Sequence, residues 1–121
     1  MENEKLEVYS EDKLLFELIG IKDAFKFTPE KEEVELIVFE TSTGDDFVKI
    51  NAGNTMLGIF AERAWVNHMY PGYEKDMQSL LHLKIKDAIV PCDLIKWKNN
   101  ETGDEKNIYF EISGFFGKDL A

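Results

Sequence analysis

Cys92 has the most readily recognised chemistry in this chain, because a thiolate is a strong nucleophile. It is followed by Asp93, and the chain also contains two histidines, His68 and His82. A catalytic thiol needs a base within hydrogen-bonding reach and a neighbour that lowers its pKa, and the sequence shows neither. A lone cysteine close to the apolar Leu94 is more typical of a small buried side chain. We therefore predict a core residue at position 92 and no thiol nucleophile.

Metal-binding and phosphate-binding spacings are not found in the sequence. It contains neither HExxH nor a pair of CxxC motifs, so His68 and His82 match no zinc-ligand pattern. Gly53 and Gly58 stand near the start of a predicted helix, but they lack the Lys-Ser/Thr of a phosphate loop. Their spacing also misses the dinucleotide-binding fingerprint. We expect no metal and no cofactor.

Acid–base chemistry by two carboxylates is the one reaction type that the sequence leaves open. It needs only two Asp or Glu side chains that the fold brings together, so it has no local signature. The chain has 24 acidic residues, which offer many such pairs. Because no catalytic motif is present, we expect a protein that is not an enzyme.

The densest charge in the chain is an acidic run from Glu30 to Asp46, which holds seven acids and one base, Lys31. If Val34, Leu36 and Val38 face the core, Glu33 and Glu35 share the opposite face with Ile37 and Phe39. A surface that mixes acidic and apolar groups is typical of a binding face. The sequence predicts that a partner contacts six residues here: Glu33, Glu35, Phe39, Asp45, Asp46 and Phe47. The alternative is a central strand buried on both faces, with the acids only at its ends.

The overall charge restricts the classes of partner. The formal net charge is −10, and the first 60 residues carry 14 acids against six lysines. This field repels nucleic-acid phosphates and anionic lipid, and it attracts cationic proteins. The longest apolar runs, such as residues 36–39, are far shorter than the roughly 20 residues that span a bilayer. With one cysteine and a charged N-terminus, we expect a cytoplasmic protein that binds neither nucleic acid nor membrane.

Hydrophobic periodicity predicts a single α+β domain over residues 1–121. Helices are predicted at about 11–19 and 55–69, with a third short helix from Tyr73 to Leu83. The alternation from His82 to Lys86 also fits a strand, so the end of that helix is open. Strands are predicted at 25–27, at 34–41 with 47–50, and at 92–98 with 107–113. We expect an antiparallel sheet built from two hairpins and packed with a central helical segment.

In size, charge and absence of catalytic motifs, the whole chain resembles the small acidic immunity proteins that neutralise nuclease toxins delivered between bacteria. No motif is matched, and because these proteins differ in fold, no residue role is carried over. The resemblance implies an inhibitor that covers the active site of a cationic, nuclease-type toxin domain, and hence a basic protein partner.

Two alternatives belong to other functional classes. One is a structural or regulatory subunit that acts through an apolar interface with itself or another chain. The other is a small enzyme or ligand-binding domain with a pocket between the 55–69 helix and the sheet. Such a pocket would use Trp65, His68, Tyr70 or Tyr73.

Overall fold

The computed structural model describes residues 5–117, without the side chain of Glu30. Along the described chain the elements are β1 (Leu6–Ser10), β2 (Lys13–Phe27), a short 3-10 turn (Pro29–Lys31), β3 (Val34–Thr41), β4 (Asp46–Asn51), α1 (Thr55–Met69), β5 (Tyr73–Ile85), β6 (Ala88–Asn99) and β7 (Glu105–Glu111). The strands close into a barrel in the order β1-β2-β3-β4-β7-β6-β5. Neighbouring strands are antiparallel except β4 and β7, which run parallel. The α+β class is confirmed, but the sheet is mixed rather than an antiparallel pair of hairpins.

The helix predicted at 11–19 is wrong, because this segment is a hairpin turn followed by β2. Glu11 has a positive φ of 57°, a backbone conformation typical of tight turns. Beyond the turn, Phe16 pairs with Val8 and Leu18 pairs with Leu6, and the apolar side chains of the pairs enter one core cluster. Closely spaced leucines fit both a helical stripe and a strand, and pairing with β1 decides between them.

The helix predicted from Tyr73 to Leu83 is also wrong, because these residues belong to β5. Lys86 has a φ of 55°, and Lys86 and Asp87 alone separate β5 from β6 in a tight hairpin. Met77 and Leu80, whose spacing also fits a helix, are 59% and 46% exposed on the strand. The strand indicated by the alternation from His82 onwards therefore begins at Tyr73, although residues 74–80 are all exposed.

Helix α1 matches its prediction. The Asn54 side chain accepts a hydrogen bond from the Leu57 backbone N–H at 2.9 Å, which satisfies one of the free donors of the first turn. The buried face includes Leu57, Ala61 and Trp65 at helical spacing. Within residues 5–117, no helix is long and apolar enough to span a membrane.

Two core clusters lie on opposite faces of the sheet. Successive residues of one strand point to opposite faces, and Val48 belongs to one cluster whereas Phe47 belongs to the other. The larger cluster contains the buried face of α1 and the alternate residues Val34, Leu36 and Val38 of β3. The smaller cluster joins Phe47 to buried residues of β1, β2, β5 and β6. The three β3 residues therefore face the core, which is the condition under which Glu33 and Glu35 were assigned to the opposite face.

Candidate functional site

The predicted binding acids Glu33 and Glu35 lie at one end of the β3–β4 hairpin. Glu33 is exposed, immediately ahead of β3. Glu35 is half-buried and accepts a hydrogen bond from the Asn51 side-chain amide at 3.1 Å. Both carboxylates line a shallow cavity of about 300 Å³.

Asp45 and Asp46 lie at the opposite end of the same hairpin. Asp45 accepts a hydrogen bond from the Thr43 hydroxyl at 2.6 Å, and Asp46 accepts one from the Tyr70 hydroxyl, also at 2.6 Å. The strand rise places Glu35 roughly 17 Å from the Asp46 end. The fold therefore separates the four predicted acids into two pairs.

Phe39 and Phe47, the predicted apolar anchors, contact each other with their ring centroids 5.8 Å apart. Phe39 is half-buried against the smaller core cluster. Phe47 is only 1% exposed. Phe47 thus cannot contact a partner in this structure, because the β4 residues on either face are covered by core.

A different set of acids is brought together by strand pairing, and we call it the acidic row: Glu7 on β1, Glu17 on β2, Glu40 on β3 and Asp46 on β4. Each of these acids is adjacent in sequence to a residue that packs in or against the smaller core cluster. All four side chains therefore project from the face of the sheet opposite that cluster. Glu7 and Glu17 are direct cross-strand partners. Glu40 and Asp46 flank the Phe39–Phe47 pair. Glu17 exchanges hydrogen bonds with Ser42 of β3, and Glu40 pairs with Gly20 of β2, so Glu40 is offset from Glu17 by two residues and the row crosses the sheet diagonally.

The surroundings of the row combine one aromatic and one aliphatic side chain with its carboxylates. The Tyr9 hydroxyl donates a hydrogen bond to Glu7 at 3.1 Å, and this bond, ahead of burial and the charges of Glu7 and Glu17, raises the pKa of Tyr9. Leu14, opposite Tyr9 in the register, is 45% exposed. A groove of about 550 Å³ runs beside them and is also lined by three lysines: Lys5, Lys84 and Lys86. The ion pair Lys49–Glu111 joins β4 to β7, and the ion pair Lys96–Glu105 joins β6 to β7.

Glu7, Glu17 and Glu40 were missed by the sequence analysis. The alternations Leu6-Glu7-Val8 and Phe16-Glu17-Leu18 are the signal that could have found the first two. The second alternation was assigned to a helix, so the cross-strand pairing of the two glutamates could not be anticipated.

A second cluster of acids is buried between α1 and β6. Glu62 is 2% exposed and Asp93 is 7% exposed. Their carboxyl groups are hydrogen-bonded, and burial, followed by this bond and the charge of Asp93, raises the pKa of Glu62 to about 9. The Oε2 atom of Glu62 has no hydrogen-bond partner among the described residues. A protonated Glu62 can donate to Asp93, so this pair is able to hold a proton at neutral pH in a site closed to solvent.

Cys92 is fully buried, as predicted for a core residue. Burial is the main cause that raises the pKa of its thiol, and the negative charges of Asp93, Glu111 and Glu62 add to it. A thiol held in its protonated form is a poor nucleophile. The cluster around Cys92 therefore opposes thiolate chemistry at this position.

The predicted pocket between the 55–69 helix and the sheet has a counterpart in the structure. Trp65 and His68 line a cavity of about 260 Å³ beside β2. Tyr70 and Tyr73 do not line it, because they pack against the larger core cluster and bind the carboxylates of Asp46 and Asp104 respectively. Two of the four predicted pocket residues are thus brought together.

Among residues 5–117, no three His, Cys, Asp or Glu side chains are arranged to hold a metal ion. Comparison of the chain with family models, with curated proteins and with solved structures finds no match.

Proposed function

We propose that this protein binds a cationic protein partner through the acidic row, and that it acts as an inhibitor of the immunity-protein kind, covering the active site of a basic, nuclease-type toxin domain. The observation that carries the proposal is the direct cross-strand pairing of Glu7 with Glu17, with Glu40 and Asp46 diagonally beyond them on the next two strands.

Electrostatics explains why such a row favours a function in binding. Like charges directly opposite each other in a sheet destabilise it, so the pairing of Glu7 with Glu17 costs folding free energy. A partner that brings Lys or Arg side chains to the row offsets this cost. The net charge of −10 extends the attraction beyond the contact and speeds association with a cationic protein.

Apolar contacts beside the row support the same interpretation. Tyr9 and Leu14, which are paired across β1 and β2, take the role of apolar anchors that was predicted for Phe39 and Phe47. Tyrosine is enriched at sites that dominate binding energy, because its ring gives a large contact area and its hydroxyl a hydrogen bond. In this proposal the carboxylates steer the partner and the side chains of Tyr9 and Leu14 hold it.

The proposal is tested by comparing what different forms of the protein retain from a lysate of the source cell. In the row variant, Glu7→Gln, Glu17→Gln and Glu40→Gln remove three charges; Asp46 is kept because it binds Tyr70. We expect the wild type to retain a basic protein that the row variant does not retain.

A matched control removes three exposed charges elsewhere, by Asp76→Asn, Asp87→Asn and Glu101→Gln. It should retain the same basic protein as the wild type, because its net charge equals that of the row variant but its row is intact. Equal retention by the row variant, or no retained basic protein, contradicts the proposal.

A second candidate function, a subunit that assembles through an apolar interface, is favoured by one observation on α1. Met56, Ile59 and Phe60 lie one turn apart and are 76%, 39% and 52% exposed. If this face forms an interface between copies, the sedimentation coefficient of the purified chain should rise with concentration, and the variant Met56→Ser/Phe60→Ser should remain monomeric.

A further inference from the structure

The pairing of β1 with β5 closes the barrel over a short stretch only. Strand β6 runs beside β5 from Tyr73 to Ile85, but β1 pairs with β5 only at its last three residues, Leu83–Ile85. Among residues 5–117, no strand pairs with the outer edge of β5 from residue 74 to residue 82, which we call the free edge. Alternate backbone N–H and C=O groups of an edge strand point outward without a partner, so the free edge is a template for another strand.

Most of the free edge is regular and uncharged. Its one register shift lies between Lys75 and Met77, and the stretch from Met77 to His82 contains no Asp, Glu, Lys, Arg or Pro. The second half of β2, which extends beyond β1, is different, because two register shifts interrupt it and it carries Lys22 and Asp23. Register shifts and charges are the features by which natural edge strands avoid pairing with other chains. The free edge of β5 therefore lacks a protection that β2 has.

The charge of β5 decides which partner suits this edge. The acids Glu74 and Asp76 are balanced by Lys75 and Lys84, so the strand has no net charge in a chain whose formal net charge is −10. A cationic protein is therefore not attracted to β5 as it is to the acidic row. Two copies of the chain, in contrast, repel each other less at a neutral strand than at an acidic surface.

The sequence of the free edge is complementary to itself. When two β5 strands run antiparallel with Ser79 opposite Ser79 of the second copy, Met77 lies opposite Leu81 of the second copy, and two apolar side chains meet on one face. In the same register Asp76 lies opposite His82, whose imidazole can donate a hydrogen bond to a carboxylate. Two-fold symmetry makes each of these pairs occur twice.

Neighbouring registers lack this match. With Gln78 at the centre, Met77 would lie opposite Ser79 and Asp76 opposite Leu80, so a charge would face an apolar side chain. The register shift beside Met77 also ends the regular strand at the place where pairing about Ser79 ends, because a bulge bends the chain away from its neighbour.

We propose that two copies of this chain pair antiparallel through the free edges of their β5 strands, centred on Ser79, and so form one continuous sheet across a two-fold axis. The pairing spans residues 76–82 of each copy. Because such an interface is small, the dimer is weak and depends on concentration. It uses no residue of the acidic row and none of the exposed α1 residues Met56, Ile59 and Phe60.

Sedimentation velocity between about 10 and 500 µM protein tests the pairing. The wild-type sedimentation coefficient should rise with concentration. Met77→Lys/Leu80→Lys places two charges on the free edge at exposed positions and should weaken dimerisation at least about tenfold. A matched control, Ile21→Lys/Ile89→Lys, adds the same charge at exposed positions of β2 and β6 and should dimerise as the wild type does.

Disulfide cross-linking in oxidised glutathione tests the register without adding charge to the edge. Ser79→Cys should yield a covalent dimer, because residues directly opposite each other have Cα atoms about 4.5–5.5 Å apart, within the reach of a disulfide. Gln78→Cys should not, because in this register the two copies of residue 78 are offset by two positions. The native Cys92 is buried, and burial raises the pKa of its thiol, so it does not compete.

Three results overturn the proposal. The first is a wild-type sedimentation coefficient that does not change with concentration. The second is unchanged dimerisation of a folded Met77→Lys/Leu80→Lys protein, with loss of the dimer in Met56→Ser/Phe60→Ser placing the interface on α1 instead. The third is a covalent dimer of Gln78→Cys but not of Ser79→Cys, which rejects the register even if the lysine variant does not fold. None of these results bears on the capture experiment with the acidic row.

Discussion

Replacing Glu62 with glutamine is expected to stabilise the protein by about 3 kcal/mol at pH 8. In the wild type, the buried carboxyl group must either stay protonated or carry an unsatisfied charge beside Asp93. Glutamine is neutral at every pH and can still donate a hydrogen bond to Asp93. The substitution therefore removes the free-energy cost of keeping residue 62 protonated at this pH, and it keeps the hydrogen bond to Asp93.

The sign of the pH dependence follows from the pKa of Glu62, which is about 9 in the fold against 4.5 for an exposed glutamate. Because the folded state binds this proton more tightly, its contribution to stability is complete below pH 4.5 and is lost as the pH rises through about 9. The difference in unfolding free energy between Glu62→Gln and wild type should thus grow from pH 5 to pH 9.

Urea denaturation across this pH range measures the difference, with Glu101→Gln, at an exposed position, as the control for the loss of one acid. The control should follow the wild type at every pH. A Glu62→Gln protein that is less stable than wild type at pH 8, or a difference that does not change with pH, would show that the Glu62 carboxyl is ionised or solvated in the fold.

Replacing Gly114 with alanine should destabilise the fold by about 3 kcal/mol, because the new methyl group would overlap the backbone of β4. A Cβ at position 114 would lie 2.5 Å from Asn51 Oδ1 and 2.6 Å from the Ile50 carbonyl oxygen. In the wild type, Gly114 lets the turn after β7 pack closely against Ile50 and Asn51 of β4, and the neighbouring Phe115 is 2% exposed. Backbone atoms cannot move aside as a flexible side chain can, so the turn must shift.

Thermal unfolding checks this prediction, with Gly20→Ala as the matched control. A Cβ at Gly20 would have no atom within 4 Å, and Gly20 is not among the glycines with a positive φ. The control should change the melting temperature little, whereas Gly114→Ala should lower it by roughly 10 °C. Equal melting temperatures for the two variants would mean that the turn after β7 does not pack on β4 as described.

Local sequence signals predicted the elements whose stabilising contacts are close in the chain. The hydrophobic periodicity of residues 55–69 predicted α1, because a helix is amphipathic over a few turns. The apolar and β-branched residues of Val34–Thr41 predicted β3, which buries Val34, Leu36 and Val38. For both elements, residues close in the sequence are enough to decide between helix and strand.

Elements that depend on distant partners were not predictable in the same way. The leucines before Gly20 fit a helix as well as a strand, and only pairing with β1 selects the strand. The parallel pairing of β4 with β7 joins segments about 60 residues apart and has no local signature. Such pairings are decided by the packing of the whole sheet.

The candidate sites also differ in whether local sequence or long-range strand pairing brings their residues together. Glu33 and Glu35 were expected on the surface from the pattern of β3 alone, and they lie there. The acidic row requires the register of four strands, and the Glu62–Asp93 pair requires α1 to pack on β6. Neither grouping is visible until tertiary contacts are known, although the pocket beside α1 was anticipated from its Trp and His.

The proposal that the acidic row binds a cationic protein is tested most directly by calorimetric titration with the retained basic protein between about 50 and 500 mM salt. We predict that the wild type and the Asp76→Asn/Asp87→Asn/Glu101→Gln control bind with an affinity that falls steeply as salt increases. The Glu7→Gln/Glu17→Gln/Glu40→Gln protein should bind about 10- to 100-fold more weakly at low salt and show a flatter dependence. A folded row variant with the affinity and salt dependence of the wild type would contradict the proposal.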